Sequence, residues 1–313
     1  MIAYILRRLL STLPVMGVVA IFVFFLLRLA PGDPAAIIAG DDASPEHIAS
    51  LRAKLGLDRP VLEQFGLWLL GLLQGDFGTS IFSNMPVTRL ISQRLEPTLA
   101  LTVSTLLVAV LLAVPLGVLA AAKARRPTDR FVMLFSVLGF AMPVFLIGYV
   151  LIYIFAMKLG WLPVQGYVPI SQGLWPWAER LILPSFALGI TYMALIARIT
   201  RASMLEVLSQ DYIRTANSKG LATNRVLLVH ALKNASVPIV TVIGIGIALL
   251  ISGVVITETV FNIPGLGRLT VDAVLKRDYP IVQGLIIVFA GVKVLVNLLI
   301  DISYVFLDPR IRY

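Results

Sequence analysis

The chain has 313 residues, 58% of them apolar and only 14% charged, against roughly 45–50% and about 25% in soluble domains. That excludes an ordinary water-soluble fold and a disordered chain. Cys is absent and His is limited to His47 and His230, which excludes a disulfide framework, thiolate metal sites and a His-rich metal centre. The 26 Lys and Arg exceed the 17 Asp and Glu to give +9, an excess that in so apolar a chain points to a membrane face rather than to nucleic acid.

Runs of about 18 or more apolar residues mark membrane-spanning helices, and six are predicted. Leu9–Leu27 comes first and reads as a retained helix: its apolar core is longer than a signal peptide's, and Arg28-Leu29-Ala30-Pro31-Gly32 is a poor cleavage site. Leu99–Ala122, Phe131–Met157, Leu181–Ala197 (extensible at both ends) and Val237–Thr257 follow. The sixth, Ile281–Leu307, carries Lys293 and Asp301 inside it. Unbroken apolar runs exclude a barrel, whose strands alternate. With both termini placed inside, 14 basic residues fall in 61 inside positions and 11 in 117 outside positions. The bias is clearest at Lys123-Ala124-Arg125-Arg126, and it sets the orientation.

Two connections are too long to be turns. On the outside, residues 28–97 form a cap. Ser44-Pro45-Glu46 starts a helix with an N-cap, a Pro at the first position and an acid in the first turn. Pro60 opens an amphipathic stretch with Phe65, Trp68, Leu69 and Leu72 on one face. The cap either packs on the helix ends or docks a soluble partner; the two readings are compatible. On the inside, Asp211–Gly220 reads as a short helix stopped by Gly220, with Lys219 near the negative end of its dipole. Asn224–Lys233 is a second short helix leading back to the bilayer at Pro238. Such a pair forms either a handle for another protein or an interfacial anchor.

No phosphate-cradling G-x-x-x-x-G-K-[ST], no H-E-x-x-H and no G-x-S-x-G is present. His47 and His230 are assigned to opposite sides and form no common site. Charges at membrane depth face protein or water. Glu258 reads as a carboxylate at a helix end or in a pathway; Lys293, with Asn297 one turn on, reads as a pathway or inter-subunit residue, or as one that snorkels or fixes packing. An ion-coupled secondary transporter would show internal repeats, broken helices and acidic residues along its path; an intramembrane enzyme would need a catalytic pair. The sequence displays no inverted repeat and no such pair.

Seven strings then stand in order: Ile5-Leu6-Arg7-Arg8 with Arg28-Leu29-Ala30-Pro31-Gly32-Asp33-Pro34; Leu55-Gly56-Leu57-Asp58-Arg59-Pro60 with Gln64-Phe65; Gly75-Asp76-Phe77-Gly78-Thr79-Ser80; Asp211-Tyr212-Ile213-Arg214-Thr215-Ala216 through Lys219-Gly220; His230-Ala231-Leu232-Lys233-Asn234-Ala235; Glu258-Thr259-Val260-Phe261-Asn262-Ile263-Pro264-Gly265-Leu266-Gly267; and Leu307-Asp308-Pro309-Arg310. Over nearly its whole length the chain resembles the membrane subunits of ABC importers of the dipeptide/oligopeptide/nickel permease family. The resemblance implies an all-α integral membrane protein with six transmembrane helices, a type I ABC importer permease fold and both termini cytoplasmic. The first helix and cap would occupy 1–97 and the permease domain 98–313. It implies a transport subunit and not an enzyme, binding no cofactor itself, with ATP and Mg on partner ATPases. Its partners would be a second homologous permease, two ATPase subunits and an extracytoplasmic solute-binding protein, in a bacterial or archaeal inner membrane. The solute would be a peptide, with nickel chelates, glutathione, opines and sugars as the family's alternatives.

By the same resemblance the inside handle is this family's form of the EAA loop, a coupling helix seated in an ATPase groove. Asp211, Tyr212, Arg214, Thr215, Ala216, Lys219 and Gly220 would make that contact, with Tyr212 and Ala216 on one face and Arg214 and Lys219 at its rim. Aligned on Gly220, the chain has Arg214-Thr215-Ala216 where the general pattern has Glu-Ala-Ala, so no Glu-mediated contact carries over.

Overall fold

The computed structural model describes residues 2–29, 34–39, 44–54 and 56–307. The 30–33 part of the first string, the 40–43 stretch of the cap and the 308–313 ending lie outside the described residues. The described chain is helical: α1 (Ile2–Leu29), α2 (Pro34–Ala39), α3 (Pro45–Lys54), α4 (Val61–Leu73), α5 (Val87–Ala122), α6 (Pro127–Ala141), α7 (Val144–Leu151), α8 (Leu174–Leu208), α9 (Asp211–Ser218), α10 (Thr223–Arg225), α11 (Leu232–Asn234), α12 (Ser236–Gly253), α13 (Val255–Val260), α14 (Leu266–Lys276) and α15 (Tyr279–Leu307). π-Helical turns continue α7 through Ile152–Lys158 and join α10 to α11 through Val226–Ala231.

Among the described residues three helices are long and apolar enough to cross a membrane by themselves: Val87–Ala122, Leu174–Leu208 and Tyr279–Ser303. Two more candidates are bent pairs. The expected third span, Phe131–Met157, is not one helix: Pro127–Ala141 and Val144–Lys158 meet at 104°. Pro143 is the cause. Its ring has no N–H to give and pushes the preceding residue out of the helical region, and Met142 stands at φ −81°, ψ 131°. The second handle helix likewise turns by 63° into α12.

Packing divides the chain into two units: Met1–Ile5, Leu95–Arg268 and Val292–Tyr313 in one, Leu6–Arg94 and Leu269–Gly291 in the other. Leu269–Gly291 packs with the N-terminal segment in the second of these units. Buried polar bonds draw that segment to the N-terminal unit. Ser80 Oγ donates to Asp278 Oδ2 at 2.5 Å, and Gln283 Nε2 donates to the Val23 carbonyl at 3.1 Å. In the same unit Phe65 of α4 meets Phe24 of α1 edge-on and Trp68 meets it at a tilt, with ring centroids 5.1 and 5.6 Å apart. Ser44 caps α3 by accepting from the His47 N–H at 3.3 Å. The Gly75–Ser80 string is a turn: Gly75 and Gly78 have φ +82° and +83°, and the Asp76 carboxylate accepts from the Gly78 N–H at 2.8 Å.

The larger unit has three stacked apolar clusters. Leu101 of α5 packs with Leu181 and Leu188 of α8 and with Val260 and Phe261. Ala109 and Ala113 meet Met193, Ile196 and Ala197. Val118 and Ala121 meet Met204, Ile213 and Ala216. α5 and α8 thus run parallel, and α6 and α7 also pack on α8. One end of the unit carries the 158–173 connection and the 260–263 turn; the other carries the 123–126 turn, α9 and the 223–235 segment. Gly117 lets α5 come close to α8: a Cβ there would sit 2.6 Å from Thr200 Cβ and 2.8 Å from the Ala197 carbonyl, the small-residue contact typical of helices packing in lipid.

Candidate functional site

The handle is an eight-residue helix with two unlike faces. Ile213 and Ala216, three apart, are buried against Val118, Ala121 and Met204. Asp211, Tyr212, Arg214, Thr215, Asn217, Ser218, Lys219 and Gly220 are exposed. The helix ends in a Schellman motif: the Gly220 N–H donates to the Asn217 carbonyl at 2.9 Å and the Leu221 N–H to the Ala216 carbonyl at 3.4 Å. Gly220 has φ +75°, and a Cβ on it would meet nothing within 4 Å. Glycine is needed there for its backbone conformation, not for space. The Arg214–Asp211 pair, at 3.3 Å with both side chains mostly exposed, contributes little.

The socket beneath α9 is tied by an ion pair. Arg201 of α8 grips Asp129 through Nε at 2.5 Å and Nη2 at 2.8 Å, and the Arg125 N–H, at φ +64°, donates to the same carboxylate at 2.8 Å. Asp129 is buried, so both its oxygens are satisfied by one planar fork and one amide. This clamp joins the α5–α6 turn to α8 ten residues before α9 begins.

At the opposite end Glu258 is fully buried. Its Oε1 accepts from Thr98 Oγ1 at 2.7 Å and its Oε2 from the Arg268 N–H at 2.8 Å; Thr98 Oγ1 in turn accepts from the Leu266 N–H at 2.8 Å. The carboxyl and the hydroxyl together cap the first turn of α14, which has no acid of its own there. A Cβ on Gly265 would collide with the Glu258 carboxyl, so the Pro264-Gly265-Leu266-Gly267 string is what lets that side chain reach the helix start. Nearby, Glu96 accepts from the Tyr167 hydroxyl at 3.0 Å and the Ile170 N–H at 3.1 Å. Burial, with the Glu96 carboxylate beside it, pushes the Tyr167 phenol up to about 12, so it remains a donor across the physiological range. The Gly166 N–H donates to the Phe261 carbonyl at 2.8 Å and Gln165 Nε2 to the Val260 carbonyl at 2.9 Å, closing the 158–173 connection over the 260–263 turn.

Residues 113–313 match the model of the binding-protein-dependent transport system inner membrane component, and residues 1–102 match that of its N-terminal part. The chain belongs to this family. The permease is 56% identical over 310 residues, 99% of each chain, to a probable peptide ABC transporter permease protein of Sinorhizobium fredii. It is 43% identical, over the full length of both, to the glutathione transport system permease protein GsiC of Salmonella paratyphi A. It is similar to the same extent to a putative peptide transport system permease protein of Brucella abortus. Its fold is like that of the inward-facing MetNI methionine ABC transporter, with a TM-score of 0.56 at 16% identity over 70% of this chain and 96% of the other. The permease is therefore an all-helical, multi-pass membrane subunit of an ABC importer, a transport component and not an enzyme. Its family works with ATPase and binding-protein partners.

Of the residues singled out in the handle, the permease brings Asp211, Tyr212, Arg214, Thr215 and Lys219 to one exposed surface with Gly220 at its end. Ala216 faces the socket beside Ile213, while Tyr212 is 45% exposed, because the buried stripe follows Ile213 and Ala216. Glu258, weighed as a pathway residue, has both carboxyl oxygens engaged within the chain. Lys293 and Asn297 are exposed, one turn apart on α15. The Asp129–Arg201 clamp and the Thr98 partner of Glu258 were not singled out from sequence. Pro127 opening α6 with an acid two residues on was a local signal for Asp129 alone; nothing local names Arg201.

Proposed function

We propose that this permease carries peptides or a closely related small solute delivered by an extracytoplasmic binding protein. It pairs with a second, homologous permease in a bacterial inner membrane and is driven through 211–220 by a separate ATPase. The observation that carries this reading is α9 itself: one face anchored by Ile213 and Ala216, the other offering Asp211, Tyr212, Arg214, Thr215 and Lys219. The solute class follows the relatives, a probable peptide permease among them at 56% identity. ATP binding closes the ATPase dimer, α9 moves with it, and the bundle exchanges an inward-open for an outward-open packing, with nucleotide and solute biasing the two populations.

The test is at Gly220. Gly220→Val forces a β-branched residue into the left-handed region, costing about 1–2 kcal/mol locally, whereas Gly220→Asn tolerates it. In proteoliposomes of the full assembly, the Val variant is expected to lose at least about tenfold in uptake per ATP hydrolysed, equivalent to about 1.4 kcal/mol of coupling, and the Asn variant far less. Unaltered uptake by the Val variant counts against the handle. Orientation is checked separately. Because the chain has no Cys, Gln172→Cys is expected to react with an impermeant maleimide on right-side-out vesicles, and Arg126→Cys only after permeabilisation; the reverse pattern overturns the topology.

A further inference from the structure

Lys293 stands midway along α15, fourteen residues from each end, or about 21 Å at 1.5 Å per residue. A Lys stem reaches about 6 Å, too short to bring the ammonium from the centre of a core about 30 Å thick to the headgroups. The side chain is exposed and makes no hydrogen bond or ion pair with any described residue. It is not alone. Asn297 is exposed four residues on, and Asp301 is half-buried four further. At 3.6 residues per turn each step of four turns the face by only about 40°, so the three form one polar stripe from the middle of α15 toward its C-terminal end.

Other faces of the helix are packed or apolar. Val296 is buried, and Ile300 packs so closely on α12 that a Cβ on Gly244 would collide with it. Leu295 and Leu299, 54% and 57% exposed, look away from that seam and suit lipid. The polar stripe borders the seam on the side away from the two leucines, and half-buried Val294, Leu298 and Ile302 fill the arc beyond it. A charge at that depth faces water or a polar partner.

We infer that the Lys293–Asn297 face lines the water-filled translocation path, and that Lys293 is a fixed cation receiving a carboxylate of the passing solute. The inference rests on the proposed reading of this chain as a peptide-class permease, since every peptide with a free C-terminus carries that group. The Asn297 amide supplies a donor and an acceptor one turn away for the same ligand. An exposed ammonium without a fixed counter-ion holds an anion loosely, as a conduction site requires.

The absence of Cys permits a direct test in the complete assembly in proteoliposomes, with the unsubstituted assembly as blank and both nucleotide-free and nucleotide-bound states sampled. Asn297→Cys is expected to react with small impermeant methanethiosulfonates and Leu299→Cys to remain unreactive. At Asn297→Cys the anionic ethylsulfonate reagent gains over the cationic trimethylammonium reagent from the neighbouring ammonium. That ratio is expected to fall at least about fivefold with Lys293→Met or Lys293→Gln and to persist with Lys293→Arg. An unreactive Asn297→Cys, an unaltered ratio, or efficient cross-linking of position 297 to the second permease overturns the inference. Uptake of dialanine by the unsubstituted assembly separates the two levels. Uptake with an unaltered ratio removes the cation site and leaves the peptide reading; a falling ratio without uptake removes the peptide reading and leaves the cation site.

Discussion

Glu258→Ala is expected to destabilise the permease by about 2–5 kcal/mol, the range for stripping a buried polar network of its central acceptor. The Arg268 N–H would lose its acceptor and the Thr98 hydroxyl the oxygen it donates to, so the first turn of α14 would lose its cap. Glu258→Gln should fall between. Its carbonyl oxygen can still accept from Thr98, but an amide NH2 would then oppose the Arg268 N–H. Gly265→Ala should cost as much as Glu258→Ala, because the new Cβ takes the carboxyl's place. The double variant Glu258→Ala/Gly265→Ala should be no worse than either single one, a non-additivity that only a shared space produces. Thermal unfolding in detergent, together with the amount of permease in membranes, measures all four. A loss under about 0.5 kcal/mol for Glu258→Ala would show that the network is ornamental, since that is the scale of an ordinary surface change.

Asp129→Ala is the second large effect. It leaves the Arg201 guanidinium without its fork partner in a setting only a quarter exposed and removes the acceptor of the Arg125 N–H. A fully buried pair broken this way costs about 3–5 kcal/mol; the partial exposure of Arg201 brings the expectation to about 2–3 kcal/mol. Asp129→Asn keeps an acceptor and should cost less, and Arg201→Lys should keep one contact but not the fork. The clamp also joins the α5–α6 turn to the helix that leads into α9. Asp129→Asn is therefore expected to let ATP hydrolysis continue while uptake falls several-fold. Both rates measured on one proteoliposome preparation check this; a proportionate fall in the two would make the clamp a matter of stability alone.

What the sequence displayed and what it hid divide along the range of the interactions. Apolar runs are local, so the helices around Leu99–Ala122, Leu181–Ala197 and Ile281–Leu307 were visible, although α5 and α8 extend well beyond their apolar cores. The cap at Gly220 was visible for the same reason: a Schellman ending is decided by adjacent residues. The break at Pro143 was visible as a residue but masked by the apolar run on both sides of it, which reads as one span when only hydropathy is counted. Which side of α9 is buried depends on Val118 and Met204, far away in the chain, so Ala216 was placed with Tyr212 instead of Ile213. Asp129 meets Arg201 across 72 positions and Glu258 meets Thr98 across 160. Neither partner leaves a mark in the other's neighbourhood.

α8 is 35 residues long, about 52 Å at 1.5 Å per residue, whereas a hydrocarbon core is about 30 Å thick. Roughly 20 Å of an upright α8, shared between its two ends, stands clear of the core, and α9, the proposed docking helix, follows the inner part of that overhang. A beam of this length pivoting near mid-membrane converts a tilt of about 10° into a displacement of about 5 Å at its tip, close to one helical pitch. Leverage of that kind would let a modest stroke by the motor become a rearrangement large enough to swap one gate for the other. It would also make stiffness of the projecting stalk, rather than the strength of its grip on the motor, the property that limits transport.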